Sequence, residues 1–519
     1  SFDYNMLVVE TYLIDPPETG RAEKIYMFLS GSLNQHKKGE GKMQKLKHEP
    51  AYYETTKFKW RQRIGFGISD YACNLAYLLA NTYLLFYYTN CAGLAAGAVG
   101  FMFVVTKFID AFTDYMVGAM IDRTDTKMGR YRPWMLYGAP VLAVGMVLLF
   151  SVPTGWSAGA KLAWAYVTYV IFSFGYTLVN IPMAPIVSSL SASATERTKI
   201  STTRTVFSNL GSLTSSLFVL PMVYFFSGSK DATGAALATG YRNTNIVLGI
   251  IVVVIMAICV FSIVEINPPT KSAGKSSLIK DIGSLVKNKY YIMFLGEVFF
   301  LFLGYLSMYG AMQYYYTYIV GDVSGMSLAL TLLTLLAIPT MILAAYLNGK
   351  GIAKIKLIQF GAIVDCVGFA ILFFTSNGTI ATASLGLIGL GFGFRSSMFF
   401  SMMPDIFDYT EWQVGRNLGG TQNAIQGFVN KVSSAAASAI VSALLVWGNY
   451  DAAKLDKAMA DGISIAKEFP QTHTAINFAF GGLALVATIL SIVVLIPYDL
   501  DKKYPQIRAE LNQRNKENA

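Results

Sequence analysis

Apolar runs of about twenty residues recur along nearly the whole chain, and they constrain its fold more than any other feature. A helix of that length spans the hydrocarbon core of a bilayer. Only 14% of the 519 residues are charged, against roughly 25% in an average soluble domain. Both facts exclude a soluble multidomain protein. The twelve runs lie at 64–90, 98–121, 135–152, 162–190, 204–226, 245–264, 290–320, 327–347, 355–374, 380–403, 421–447 and 474–497.

Lysine and arginine concentrate in the segments between these runs, and the net charge is +10. This distribution follows the positive-inside rule and does not indicate nucleic-acid binding. An even number of spans then places both termini in the cytoplasm, with the chain in the cell (inner) membrane and lipid as its surroundings. We predict an all-α membrane protein with five parts. These are a cytoplasmic N-terminal extension 1–59, a six-helix bundle 60–264, a cytoplasmic linker 265–289, a second six-helix bundle 290–497 and a cytoplasmic tail 498–519.

The reactive residue types give no sign of catalysis or of a bound cofactor. All four cysteines fall in or at the ends of apolar runs, without the spacing of a zinc site or a disulfide framework. None of the three histidines lies deep in a span. We find no nucleophile–histidine arrangement. The chain is therefore predicted not to be an enzyme and to need no cofactor, and a monomer suffices.

Two carboxylates, Asp110 and Asp114, lie inside the second apolar run. Their i, i+4 spacing puts both on one face of a helix. A charge in hydrocarbon costs at least ~2.5 kcal/mol, so such residues normally face a bundle interior or a water-filled cavity. The two acids repel each other unless a proton, a metal cation or a basic side chain joins them. The pair predicts a cation site, and the alternative is a buried ion-pair network that only ties helices together.

Two sequence blocks carry a family resemblance. The first reads I-D-A-F-T-D-Y-M-V-G and then M-G-R-Y-R-P-W between Ile109 and Trp134, and the second reads M-M-P-D-I-F-D-Y-T-E-W from Met402 to Trp412. Together they resemble the glycoside–pentoside–hexuronide:cation symporter family of the major facilitator superfamily, over about residues 60–500. The resemblance implies twelve helices in two bundles, and Na⁺- or H⁺-coupled symport of a sugar by alternating access.

The resemblance also assigns residues to the two ligands. The cation site falls on Asp110, Asp114 and Thr177, whose hard oxygen ligands suit a small metal ion such as Na⁺. The carboxylate pair could instead take a proton. Lys431 joins the substrate set or forms an ion pair with the two acids. The substrate positions carried over from the family are Tyr176, Asn180, Arg204, Gln426 and Lys431.

Arg395 is added to the substrate set for a different reason. Asn180 and Ser396 stand where the family carries a sugar-binding acid and a sugar-stacking tryptophan. A cavity that has lost acids and gained an arginine favours an anionic sugar, because a guanidinium binds carboxylate or sulfonate in a bidentate manner. The alternative pairs Arg395 with Glu297 or Asp365.

A cytoplasmic gate is predicted between the basic loop after the second run and an acidic loop after the tenth. Asp70, near the start of the first run, is either a partner for a basic residue or a binding residue. Two rival functions stay open: a cation-coupled carrier of a non-sugar amphiphile, and a non-transporting membrane sensor. The residues assigned to the gate are Asp122, Arg123, Arg130, Arg132, Asp405, Asp408, Glu411 and Arg416.

Overall fold

The computed structural model describes residues 60–191, 194–229, 232–265, 278–415 and 418–517. The predicted extension 1–59, residues 266–277 of the linker and Arg416 lie outside these ranges. Nearly all of the described chain is helical. Its only bridge between extended residues joins Thr126 to Gly129. The fold class predicted from the apolar runs is therefore correct for the described chain.

Twelve long helices follow one another along the described residues. Eleven of them are long and apolar enough to span a membrane. The exception is the first, which carries Arg61, Arg63 and Asp70 in its opening turns and packs against helices of both halves. The helices are α1 Trp60–Phe86, α2 Ala96–Asp122, α3 Arg132–Leu149, α4 Ala158–Met183, α5 Ala194–Ser227, α6 Gly234–Ser262, α7 Lys289–Tyr314, α8 Ser324–Gly349, α9 Lys354–Phe374, α10 Gly378–Val414, α11 Gly419–Trp447 and α12 Pro470–Leu495.

Small residues allow these helices to pack closely where they cross. A Cβ atom on Gly175 of α4 would lie 2.5 Å from the backbone nitrogen of Leu142 on α3. A Cβ on Gly145 would similarly lie 2.5 Å from the Cα of Phe172. Close backbone approach of this kind is how membrane helices gain packing energy without a hydrophobic driving force. Large apolar side chains such as Phe225 remain exposed on the outer surface, where lipid is the solvent.

Several helix ends differ from the apolar runs. Helix α5 begins at Ala194 rather than 204, and α6 at Gly234 rather than 245. The fourth run was predicted to reach 190, but α4 ends at Met183. Most consequentially, α10 continues through Pro404 to Val414, so the predicted acidic loop after the tenth run is wrong. These polar turns stay helical because neighbouring side chains bind them, which an apolar run does not reveal.

The most extensive helix contacts between the two halves of the described chain are α1 with α7, α2 with α11 and α5 with α8. We call the face at which α1 begins and α12 ends the tail face. An additional helix, α13 (Leu500–Glu517), packs there against α10. The opposite face is called the distal face. At this face α1 and α7 each continue into a π-helical turn, Tyr87–Cys91 and Tyr315–Val320. Such turns are frequent at functional sites.

Candidate cation and substrate site

Helices α2 and α4 present two acid–hydroxyl pairs to each other. Thr177 Oγ1 donates to Asp114 Oδ1 at 2.8 Å, and Ser173 Oγ donates to Asp110 Oδ1. Both pairs have the same sequence offset, as expected for parallel helices in register. Ser173 was not predicted from the sequence. Its signal was present, because Ser173 precedes Thr177 by the same four residues that separate the two acids.

Lys431 reaches this face from α11 in the other half of the molecule. Its Nζ lies 3.1 Å from Asp110 Oδ2 and donates to Asp114 Oδ2. It also donates to the backbone oxygen of Asp110 at 3.2 Å. The ammonium therefore bridges the two acids and relieves their repulsion. The ion pair that the sequence left as an alternative is present, and it joins the two halves.

The donor set at this face fits a small hard cation or a proton. Asp110 and Asp114 supply carboxylate oxygens, and α4 supplies two hydroxyls beside them. Oxygen-only ligands of this kind suit hard cations. In the part of the chain that the structure describes, no group of three or more His, Cys, Asp or Glu side chains is placed to hold a metal ion. An ion at this face would take the position that the Lys431 ammonium occupies.

Lys107 lies one turn from Asp110 toward the distal face. Its Nζ stands 5.7 Å from the centroid of the Tyr169 ring. Together with Asn81 of α1 and Ser434 of α11, it lines a cavity between the two halves. A second basic side chain thus borders the cavity on the distal side of Asp110 and Asp114.

The predicted substrate residue Arg204 is held inside the first half. Its Nε and Nη2 donate to the two carboxylate oxygens of Asp70, at 2.7 and 3.1 Å. Its Nη1 also donates to the carbonyl oxygen of Met183 at 2.8 Å. This bidentate pair gives Asp70 the basic partner that the sequence offered as one alternative. It also ties α1, α4 and α5 together.

The other predicted substrate residues, apart from Lys431 and Arg395, lie near the interface between the two halves. Asn180 follows Thr177 by three residues, which places it on the same side of α4, and it is exposed. Tyr176 lies beside Tyr77, with ring centroids 6.2 Å apart. Gln426 precedes Lys431 on α11 and is partly exposed. These positions are compatible with a ligand between the halves, and their roles stay predictions.

Arg395 does not face the interface, which corrects its assignment to the substrate set. The side chain is fully buried, and its Nη2 lies 2.9 Å from Glu297 Oε1. Its Nη1 lies 3.1 Å from Asp365 Oδ2, and Nη2 also donates to Ser491 Oγ at 2.9 Å. These partners come from α7, α9 and α12 of the same half. The guanidinium fork is thus filled by protein carboxylates and is not available to a sugar.

The basic half of the predicted gate binds a different acid. Glu265, just after α6, accepts the backbone N–H groups of Arg130, Tyr131 and Arg132 at 2.8, 2.9 and 2.9 Å. Gly129 has φ = +106°, and a Cβ there would lie 2.5 Å from the Glu265 carboxylate. The loop therefore closes on its own half. Arg123 is exposed, and its N–H caps the end of α2. The Asp122 side chain lies outside the description.

The acidic half of the gate is likewise bound within its own half. Asp405 accepts from Lys354 Nζ of α9 at 2.5 Å. Asp408 accepts from Tyr504 at 2.6 Å and from Arg508 at 2.8 Å, both on α13. Glu411 lies one turn further along α10. Asp405 and Asp408 therefore bind residues of their own half in this conformation, rather than the predicted partners Arg130 and Arg132.

Hydrogen bonds that join the two halves to each other lie instead at the distal face. Asn90 Nδ2 donates to Tyr318 OH at 2.5 Å, and Tyr450 OH donates to Asn90 Oδ1 at 2.7 Å. Tyr318 OH in turn donates to Asp456 Oδ1 at 2.8 Å. Burial raises the pKa of the Asp456 carboxyl, although the bond from Tyr318 opposes that rise. We call Asn90, Tyr318, Tyr450 and Asp456 the distal lock. None of these four residues was assigned to a site from the sequence.

Comparison with known proteins agrees with this geometry. The family described as MFS/sugar transport protein matches residues 65–502. The isoprimeverose transporter of Lactiplantibacillus pentosus is 32% identical over 465 residues, covering 89% of this chain and 93% of that protein. The glucuronide carrier protein homolog of Escherichia coli K12 is 26% identical, covering 88% and 96%.

A solved structure of similar fold is a bacterial homologue of the human lysosomal transporter Spinster, in an inward-facing and unoccupied conformation. Its TM-score is 0.62 at 12% sequence identity, and the match covers 86% of this chain and 98% of that one. At this identity the likeness shows the fold alone. Fold and site together define a secondary transporter of the major facilitator class. The chain belongs to the MFS/sugar transport protein family, which confirms the family predicted from the two sequence blocks.

Proposed function

We propose that this protein couples the downhill entry of Na⁺ or H⁺ to the uptake of a sugar by alternating access. The observation that carries the proposal is the bridge from Lys431 of the second half to Asp110 and Asp114 of the first. The Lys431 ammonium lies between the two acids, at the position that we assign to the coupling ion. The family match and the names of the relatives support sugar as the cargo.

Ion binding at the acid pair would release Lys431. A cation or proton between Asp110 and Asp114 neutralises one of the two negative charges and so weakens the attraction that holds the ammonium. The freed ammonium has three N–H donors and no acceptor, which suits it to sugar hydroxyl oxygens or to a sugar acid. By linkage, the ion then tightens sugar binding as much as sugar tightens ion binding. No residue undergoes covalent chemistry in this cycle, so we propose no catalytic step and no cofactor besides the ion.

The orientation follows from the basic residues. The loop containing Arg130, the α8–α9 loop and the tail all lie on the tail face, which the positive-inside rule assigns to the cytoplasm. Both termini would then be cytoplasmic in a cell (inner) membrane. With the distal lock formed, the protein would be closed to the outside. The division into two six-helix bundles joined by the linker 265–289, acting as a monomer, is part of the same proposal.

We propose a sugar as the substrate but do not assign a particular sugar. Arg395 is paired internally and Arg204 is paired with Asp70, so neither provides an open anion site. The two arginines therefore give no preference for an anionic sugar over a neutral one. The relatives are named as an isoprimeverose transporter and a glucuronide carrier protein homolog. We accordingly propose a glycoside, pentoside or hexuronide as the substrate class.

The test is transport by purified protein in proteoliposomes. Radiolabelled isoprimeverose, a neutral glycoside and a glucuronide are offered with an inward Na⁺ gradient, an inward proton gradient, or neither. We expect one sugar to accumulate with one gradient, and collapse of that gradient by an ionophore to stop accumulation. Asp461→Asn, at an exposed distal position, serves as the unaffected control. Failure of every sugar to accumulate under either gradient would contradict the proposal.

A further inference from the structure

The cluster around Arg395 has a charge that does not balance. We define it as Glu297, Asp365, Arg395 and Ser491, which come from α7, α9, α10 and α12. Two ionised carboxylates against one guanidinium would leave one net negative charge. The side chains of Glu297, Asp365 and Arg395 are 2%, 0% and 0% exposed. An unpaired buried charge is costly enough that a group in such a place normally becomes neutral instead.

The surrounding residues do not supply the missing positive charge. Tyr305 on α7 donates its hydroxyl to Asp365 Oδ2 at 2.9 Å. Cys366 follows Asp365 on α9 and is also uncharged. Among the described residues, Arg395 is the only basic side chain that forms an ion pair with Glu297 or Asp365. The balance must therefore come from a proton on one of the two acids.

The hydrogen bonds indicate which acid carries the proton. Both oxygens of Glu297 accept a bond, Oε1 from Arg395 and Oε2 from Ser491. Asp365 differs, because Oδ2 accepts two bonds while Oδ1 has no partner among the described residues. An ionised oxygen without a donor in a fully buried position would bear the full desolvation penalty.

The contacts of Asp365 Oδ1 provide an acceptor for that proton. A Cβ atom placed on Gly391 of α10 would lie 2.2 Å from Oδ1 and 2.6 Å from the carbonyl oxygen of Gly361. The two oxygens thus border the same small space. Two acceptors facing one space repel each other, whereas a protonated Oδ1 can donate toward the carbonyl. Glu297 then remains ionised and pairs with Arg395.

We infer that this cluster is a proton-binding site, with the proton on Asp365 Oδ1. It is separate from the acid pair of α2 and does not depend on the proposed transport function. All four helices belong to the same half, so rocking of one half against the other leaves the cluster intact. The proton is held throughout the transport cycle and stabilises the second half, whichever ion drives transport.

The test compares the wild type with Asp365→Asn, which replaces a protonated carboxyl with a neutral amide of similar shape. Thermal unfolding in detergent is followed from about pH 5, where an aspartate in an unfolded chain has lost its proton, to about pH 8. The folded wild type retains a proton that the unfolded chain releases. Its stability therefore falls as pH rises, by about tenfold in the unfolding equilibrium per pH unit. This decline continues until the folded protein also releases the proton.

Asp365→Asn should lack this contribution, so its stability relative to the wild type should increase with pH. Glu297→Gln is the matched control: Arg395 then keeps only Asp365 as an acid, which must ionise with its Oδ1 unpaired, so this variant should be less stable than Asp365→Asn. Equal pH dependence of the wild type and Asp365→Asn would overturn the inference. So would an Asp365→Asn variant as unstable as Glu297→Gln.

An infrared measurement on the wild type covers the case in which Asp365→Asn fails to fold. At about pH 6, where free carboxyl groups are ionised, and in saturating Na⁺, we expect the carbonyl stretch of a protonated carboxyl group. Its absence would overturn the proton assignment without reference to any variant or to transport.

Discussion

Two carboxylates and one basic side chain occur together at two places in this molecule. Between the halves, Lys431 bridges Asp110 and Asp114, with side-chain exposures of 22%, 9% and 33%. Inside the second half, Arg395 bridges Glu297 and Asp365, and all three are essentially fully enclosed. The composition is the same, but only the first cluster can be reached by an ion and pulled apart when the halves move.

The choice of basic residue matches this difference. Lysine carries a compact charge on a flexible stem, so it can leave one partner for another. Arginine holds two carboxylates with a rigid fork and is always charged. The lysine cluster is therefore suited to exchange with an ion, and the arginine cluster to a permanent tie among four helices. Position relative to the moving interface, rather than charge content, separates the two roles.

Substitution of the basic residue in each cluster should produce the largest difference between them in stability and in transport. Arg395→Gln leaves two enclosed acids without a cation, and breaking a buried pair costs about 3–5 kcal/mol. We expect this variant to unfold or aggregate on extraction. Lys431→Gln should elute as a single species in size-exclusion chromatography and unfold within a few degrees of the wild type, while ion-driven sugar uptake is lost.

The opposite pattern would reverse the assignment of the two clusters. If Lys431→Gln were as unstable as Arg395→Gln, the acid pair of α2 would be a structural tie. If Arg395→Gln were stable but inactive, the second cluster would belong to the transport pathway.

A smaller effect is expected from the hydroxyl groups beside each cluster. Thr177→Val keeps the side-chain shape but removes the donor to Asp114. A hydrogen bond to a charged group contributes about 1.5–3 kcal/mol. We therefore expect at least a tenfold rise in the half-saturating concentration of the coupling ion, with little change in the unfolding temperature.

Ser491→Ala is the counterpart in the second cluster, where it removes the donor to Glu297 Oε2. Its unfolding temperature should fall while the ion concentration needed for half-maximal uptake stays at the wild-type value. An unchanged ion dependence in Thr177→Val, or a changed one in Ser491→Ala, would contradict the comparison.

Much of the fold could be predicted because the length of an apolar run can be read directly from the local sequence. Eleven of the twelve predicted runs coincide with helices that are apolar enough to span a membrane. The tail-side end of α10 could not be found this way. Its polar turns remain helical because Asp405 and Asp408 bind Lys354 and α13, partners that lie far away in the chain.

In the two clusters, too, local residue spacing could be predicted from the sequence, but partners distant in the chain could not. The spacing of Asp110 and Asp114 is a local signal, so the acid pair and its face could be predicted. The role of Arg395 depended on the rotation of α10 toward α7 and α9, whose acids are distant in sequence. Sequence spacing offered Glu297, Asp365 or a sugar as partners, and only the three-dimensional packing selects the two acids.

Transport by the Asp114→Asn variant shows whether Asp114 belongs to the ion-coupling site. Asp114→Asn is reconstituted in proteoliposomes, and accumulation of the transported sugar is compared with sugar counterflow in the absence of an ion gradient. The account predicts that accumulation is abolished while counterflow persists, because sugar can still exchange without coupling. Accumulation at the level of the wild type and of the Asp461→Asn control would contradict it.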